Sequence, residues 1–194
     1  MAGPNSSDAT LRRRPFGTAA TLGLIALSAL LLAGCSSDNQ KGLCPSANIL
    51  VPASTLTVFR QNAPADPSGE LYTVWMSNAK TGCDFDKHDL STDSRIHILF
   101  KATRAPSDQG GTYKVPYFVA VTHKGSRIMT KKLFVASIVF APGETKTAFE
   151  DTVDSTVIHV GRGNKIGEYE IVMGFQLTEA QLDYNVKNNH FAGP

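Results

Sequence analysis

The chain has 194 residues, of which 42% are hydrophobic, and its 19 lysines and arginines nearly balance its 17 aspartates and glutamates. This composition excludes a largely disordered chain, and the length is sufficient for one domain with a substantial core. The balanced charge also gives no electrostatic basis for binding nucleic acid, which requires a clustered basic face.

The N-terminus has the pattern of a secretory signal. Arg12–Arg14 precede an apolar run, Ala19 to Leu32, which ends in the sequence Leu32-Ala33-Gly34-Cys35. This run of 14 residues is shorter than the about 20 residues that a transmembrane helix needs. A cysteine directly after the small residues resembles the lipobox of bacterial lipoproteins. The resemblance implies that residues 1–34 are a signal peptide and that Cys35 is the lipidated first residue of the mature chain.

Several further expectations follow from this signal. Removal of residues 1–34 takes away three arginines and Asp8, so the mature chain carries 16 basic and 16 acidic residues. Ser36 follows the lipidated cysteine, which by the enterobacterial sorting rule implies the periplasmic face of the outer membrane. Inner-membrane retention, and export by either the general or the twin-arginine route, remain open. Residues 35–42 are predicted to be a lipidated tether, whose seven residues after Cys35 reach at most ~25 Å.

Two cysteines remain if Cys35 carries lipid, Cys44 and Cys83. Because the bacterial envelope is oxidising, a disulfide between these two is predicted. The alternatives are two buried free cysteines or a metal-binding pair. A disulfide would close a loop of about 40 residues and would stabilise the fold by roughly 4 kcal/mol in the chain-entropy model.

Residues 43–191 are predicted to form one β domain, followed by a tail at 192–194. Short apolar or alternating runs are separated by turn signals rich in glycine and proline. The predicted strands are 47–51, 56–59, 70–77, 96–101, 115–121, 128–140, 157–160 and 169–177. Seven or eight such strands predict an antiparallel, immunoglobulin-like β-sandwich.

The last strand and the segment after it carry the clearest pattern. Five large side chains alternate and are predicted to share one face of a sheet: Tyr169, Ile171, Met173, Phe175 and Leu177. Thr178 and Gln181 match a capping box, which predicts a short C-terminal helix. We expect Leu182 and Val186, four residues apart, to form its apolar face and to pack against the domain.

The sequence Gly-Phe-Gln-Leu-Thr-Glu-Ala-Gln-Leu at 174–182, together with the Val115 to Phe140 double strand, resembles a group of uncharacterised lipoproteins. This group comes from Gram-negative bacteria, alphaproteobacteria in particular. The resemblance covers about half of the mature chain. It implies no activity.

No pattern in the sequence predicts a catalytic, cofactor or metal site. Asp84–Asp89 begins like a calcium loop, but the glycine and the final glutamate of such a loop are missing, which indicates a solvated turn. Gly161–Lys165 is predicted to be a hairpin connection rather than a phosphate cradle. Glu168 and Glu170 are expected to be exposed on a strand. The sequence has no Gly-x-Ser-x-Gly motif, and its five histidines do not have metal-ligand spacing.

These observations predict a lipid-anchored, non-catalytic periplasmic protein that binds an envelope protein in envelope assembly or maintenance. One alternative is a module that binds a small lipid or glycan near the membrane, and another is an atypical hydrolase. An unpaired strand edge would favour the first hypothesis. A deep apolar pocket would favour the second, and a cleft with perturbed titratable groups the third.

Overall fold

The computed structural model describes residues 44–107 and 109–191, which form eight strands and one helix. The strands are β1 Ser46–Ile49, β2 Thr55–Phe59, β3 Glu70–Asp86, β4 Ser91–Arg104, β5 Gly111–His123, β6 Arg127–Phe140, β7 Lys146–His159 and β8 Tyr169–Phe175. The helix α1 is Glu179–Asn188, and short 3₁₀ turns lie at Val51–Ala53 and Ile166–Glu168. The predicted signal peptide, tether and tail lie outside the described residues.

The strands form two four-stranded sheets that pack face to face. Sheet A has the order β1-β8-β5-β6, and sheet B has the order β2-β3-β4-β7. All neighbouring strands are antiparallel except β1 and β8, which are parallel. The predicted all-β sandwich of seven or eight strands with a short C-terminal helix is confirmed. The described residues lie within one compact unit.

The inner faces of the two sheets supply the core. Sheet B contributes residues such as Val74, Ile98 and Phe100, and sheet A contributes Val115 and Ile138, all completely buried. The predicted inner face of β8 is confirmed over the length of the strand: Tyr169, Ile171, Met173 and Phe175 are at most 4% exposed. Leu177 follows the end of β8 and packs against the core from there, half-buried.

Two strands are much longer than the sequence pattern predicts. β3 continues from Ser77 to Asp86, so Asp84 and Asp86 lie in a strand and the turn occupies 87–90. β7 begins at Lys146, whereas only residues 157–160 were predicted. In both regions polar side chains interrupt the apolar pattern, and backbone pairing with β4 extends the strands instead.

The predicted disulfide between Cys44 and Cys83 is present. Cys44 precedes β1 of sheet A, and Cys83 lies on β3 of sheet B, so the bond joins the two layers. Within the described residues, no helix has the length and apolar character needed to cross a membrane.

Helix α1 begins as predicted but packs through a different face. The Thr178 side chain accepts a hydrogen bond from the Gln181 backbone N–H, and the Gln181 side chain accepts one from the Thr178 backbone. Leu182 and Val186 are 38% and 60% exposed, so the prediction that they face the domain is wrong. The helix instead buries Tyr184 and Asn185, whose side chains donate hydrogen bonds to Glu70 of β3 and to the Thr55 carbonyl of β2.

Candidate functional site

The sandwich has four edge strands, and they differ in how their free edges are protected. They are β1 and β6 in sheet A and β2 and β7 in sheet B. An edge strand presents unpaired backbone N–H and C=O groups, which can pair with a strand of another chain. β1 has only four residues, so it offers little length for such pairing.

Helix α1 occupies the free edge of β2. Asn185 Nδ2 donates to the Thr55 carbonyl at 2.8 Å, and Gln181 Nε2 donates to the Thr57 carbonyl at 3.1 Å. Residues four apart on a helix are separated by about 6 Å along its axis, and residues two apart on a strand by about 6.6 Å. The two amides therefore match two successive outward carbonyls of β2. Tyr184 adds a hydrogen bond to Glu70 at 2.7 Å.

The edge strand β7 carries an inward-pointing charge. Tyr117 of the core donates a hydrogen bond from its hydroxyl to Asp151 Oδ2 of β7 at 2.9 Å. Burial raises the pKa of Tyr117, and the hydrogen bond to Asp151 raises it further, so the phenol remains a donor. An inward charge on an edge strand opposes the addition of another strand, because the added strand would bury the charge.

Among the described residues, strand β6 has neither a side chain bound along its free edge nor an inward carboxylate. Its 14 residues include no proline and no inward carboxylate. It also carries five of the eleven large hydrophobic residues that are exposed among the described residues: Ile128, Met129, Leu133, Val135 and Val139, each between 49% and 65% exposed. A long edge strand with exposed aliphatic side chains is a template for strand addition. We call this feature the β6 edge.

The apolar surface of the β6 edge continues onto the outer face of sheet A. Leu133 lies opposite Phe118 of β5, and Val135 lies opposite Pro116. Lys131 Nζ lies 4.3 Å from the centre of the Phe118 ring and donates to Gln176 Oε1 at 3.0 Å. Its charge therefore lies on β6 between the exposed Ile128 and Met129 on one side and the exposed Leu133 on the other.

The charge on these two strands has one sign. Lys114 lies on β5, while Arg127, Lys131 and Lys132 lie on β6, and neither strand contains an aspartate or glutamate. Among the described residues none of these four cations forms an ion pair. Positive charge is thus concentrated beside the exposed aliphatic side chains of β6.

The turn at the start of β6 is held by a pair of side chains that sequence reasoning missed. His123 Nε2 lies 3.3 Å from Glu168 Oε2, and the imidazole stacks on Tyr169. The hydrogen bond from His123 holds the pKa of Glu168 below its usual value. Glu168 lies in the 3₁₀ turn before β8 with its side chain 33% exposed, so the expectation of a solvated strand position is wrong.

A second histidine forms a polar group on the outer face of sheet B. His97 Nδ1 lies 3.0 Å from Glu150 Oε1 and 3.3 Å from Thr152 Oγ1. A Ser-His-Asp type of triad uses opposite nitrogens of the imidazole for the acid and the nucleophile, whereas both partners here contact one nitrogen. No group of three or more potential metal ligands occurs in the described part of the chain.

An apolar pocket of about 490 Å³ lies between the β3–β4 turn and the loop that precedes β8. Phe85, Leu90, Val160 and Ile166 supply its apolar wall. Its volume is within the usual range for small-ligand sites, about 300–1,000 Å³. This pocket bears on the lipid-binding alternative.

Of the predicted site residues, the structure brings Cys44 and Cys83 together, and Cys35 lies outside the described residues. The sequence predicts a strand at residues 128–140, but it does not predict that this strand lies at a sheet edge with exposed aliphatic side chains. Comparisons with family models, curated proteins and solved structures gave no match to this chain.

Proposed function

We propose that this protein is a lipid-anchored periplasmic protein of the outer membrane that binds another envelope protein by pairing a strand with the β6 edge. Cys35 carries the anchor, and the domain has a non-catalytic role in envelope assembly or maintenance. The lipobox-like sequence at 32–35 supports the location. The observation that carries the binding role is the contrast between β6 and the other edge strands.

This contrast supports a binding role because an exposed edge strand otherwise favours aggregation. Side-chain amides of α1 bind the outward carbonyls of β2, and the inward Asp151 opposes strand addition at β7. β6 combines the opposite properties, since it is long, unprotected by proline and lined by exposed aliphatic side chains. In strand addition, main-chain hydrogen bonds supply affinity and alternate side chains supply specificity.

A photo-crosslinking amino acid placed at Val135 in the full chain, expressed in intact cells, tests this proposal. Val157 is the matched control, because it is also a valine on an edge strand and is 49% exposed. We expect a discrete protein adduct from position 135 and none from position 157. The same adducts from both positions, or none from position 135, would contradict a binding role for the β6 edge.

A second candidate function is the binding of a lipid chain, which the 490 Å³ apolar pocket favours. Leu90 lines this pocket and is 47% exposed, so Leu90→Glu would place a charge at its wall without disturbing the core. Titration with a fluorescent fatty acid tests the idea in the full chain. Saturable binding that Leu90→Glu abolishes would favour the second candidate, and unsaturable binding would exclude it.

A further inference from the structure

We infer that the segment that adds to β6 is an extended peptide with carboxylates at the end that meets residues 127–132 and aliphatic side chains beyond it. This inference rests on the proposed function, since it names the chemistry of the partner at the same surface. It follows from the order in which charge and apolar groups occur along β6.

The outer face of β6 sets the order of side chains in the partner. From Lys131 onward the alternate positions are Lys131, Leu133, Val135, Ser137 and Val139, so this cation precedes three aliphatic groups and one serine. Directly opposite residues on neighbouring strands have Cβ atoms about 4.5–5.5 Å apart, so each of these side chains would contact one side chain of the added strand. Aliphatic partners suit the three apolar positions.

Charge complementarity determines which side chains of the partner segment suit residues 127–132 of β6. Arg127 and Lys132 are exposed and, like Lys131, form no ion pair among the described residues. Opposite charges directly across a strand pair are stabilising, and like charges are destabilising. A partner with basic residues at this end would therefore be rejected, and one with carboxylates would be attracted and oriented.

A second copy of this chain fits the surface less well. If β6 paired with β6 of another copy, no carboxylate would face Lys131 or Lys132, because the strand contains none. The other long edge strand, β7, does carry Glu150 and Asp154, but its inward Asp151 opposes strand addition. The partner segment is therefore assigned to a different protein.

Binding of synthetic peptides to the full chain in detergent tests the inference. The probe is a labelled peptide of about ten residues, with alternating valine and threonine and with glutamates at one end, made with the glutamates at the N-terminus and at the C-terminus. The control peptides carry lysine in place of glutamate. We expect at least one glutamate peptide to bind about tenfold or more tightly than its lysine counterpart, with the difference shrinking in high salt.

Charge reversal on the protein provides the matched test. Lys132→Glu changes an exposed side chain that makes no hydrogen bond or ion pair with the described residues, and it should weaken binding of the glutamate peptide and strengthen that of the lysine peptide. Lys101→Glu makes the same change on the exposed outer face of sheet B and should leave both affinities unchanged.

The results distinguish failure of the inference from failure of the proposed function. Equal affinity for glutamate and lysine peptides, or no binding of any peptide, would overturn the inference that the partner segment is acidic. This holds even if the crosslinker at Val135 captures a partner protein. An adduct between Val135 and a second copy of the chain would overturn it as well. Absence of any adduct at Val135 would overturn the proposed function itself.

Discussion

Replacement of Phe175 by alanine tests the packing of the two sheets most sharply. Phe175 is 1% exposed in β8, and its ring centre lies 5.8 Å from that of Phe100 in the opposite sheet. Phe100 in turn stacks on Phe149 at 4.9 Å. Removal of a buried phenylalanine side chain costs about 3–5 kcal/mol, the sum of lost transfer free energy and the cavity left behind.

The expected loss is a large share of the 5–15 kcal/mol typical of a domain's unfolding free energy. At about 2–4 °C per kcal/mol for a domain of this size, the melting temperature should fall by roughly 6–20 °C. Circular dichroism melts of the full chain in detergent measure this shift.

The matched control is Thr178→Ala, which removes only the cap of α1. Thr178 Oγ1 accepts from the Gln181 N–H at 3.3 Å, and loss of such a cap costs about 1 kcal/mol. We expect a fall in melting temperature several times smaller than that of Phe175→Ala. Equal shifts for the two variants, or no shift for Phe175→Ala, would refute the central position assigned to β8 in the core.

Three further predictions concern the ends of the chain and the disulfide. Cys83→Ser should lower the free energy of unfolding by roughly 4 kcal/mol, through loss of loop closure, and unchanged denaturant unfolding of this variant would contradict that value. Burial and the hydrogen bond to Glu70 raise the pKa of Tyr184 to about 12 from 10.0. The stability from this contact is therefore complete below pH 10 and is lost as the pH rises from 10 towards 12. An ultraviolet titration of tyrosinate should lose a step near pH 12 in Tyr184→Phe, and an identical curve would refute the assignment. Cys35→Ala should abolish labelling by a fatty-acid analogue and leave an uncut precursor, whereas normal labelling would refute the anchor.

The sequence was sufficient to predict the architecture because local patterns specify it. The alternation in β8 marks an inner face, and the capping box of Thr178 and Gln181 marks the start of α1. The disulfide was predicted from the small number of cysteines and from the oxidising compartment that the lipobox-like sequence implies. Each of these inferences depends only on residues near one another or on composition.

The candidate site was not predictable, because its properties arise from distant residues. An apolar β-branched run such as that of β6 is typical of a buried strand, and only the strand order places it at an edge. The face of α1 was mispredicted because Asn185 and Gln181 find carbonyls of β2, more than 120 residues earlier in the chain. His123 and Glu168 are likewise 45 residues apart.

Hydrogen–deuterium exchange on the complex captured at Val135 tests the central claim most directly, because strand addition must protect backbone amides. Among the described residues β6 pairs only with β5, and in the complex its outward N–H groups would be hydrogen-bonded to the added strand. We predict slower exchange in 127–140 and unchanged exchange in β7. Unchanged exchange in 127–140, or protection confined to the pocket around Leu90 and Ile166, would contradict the account.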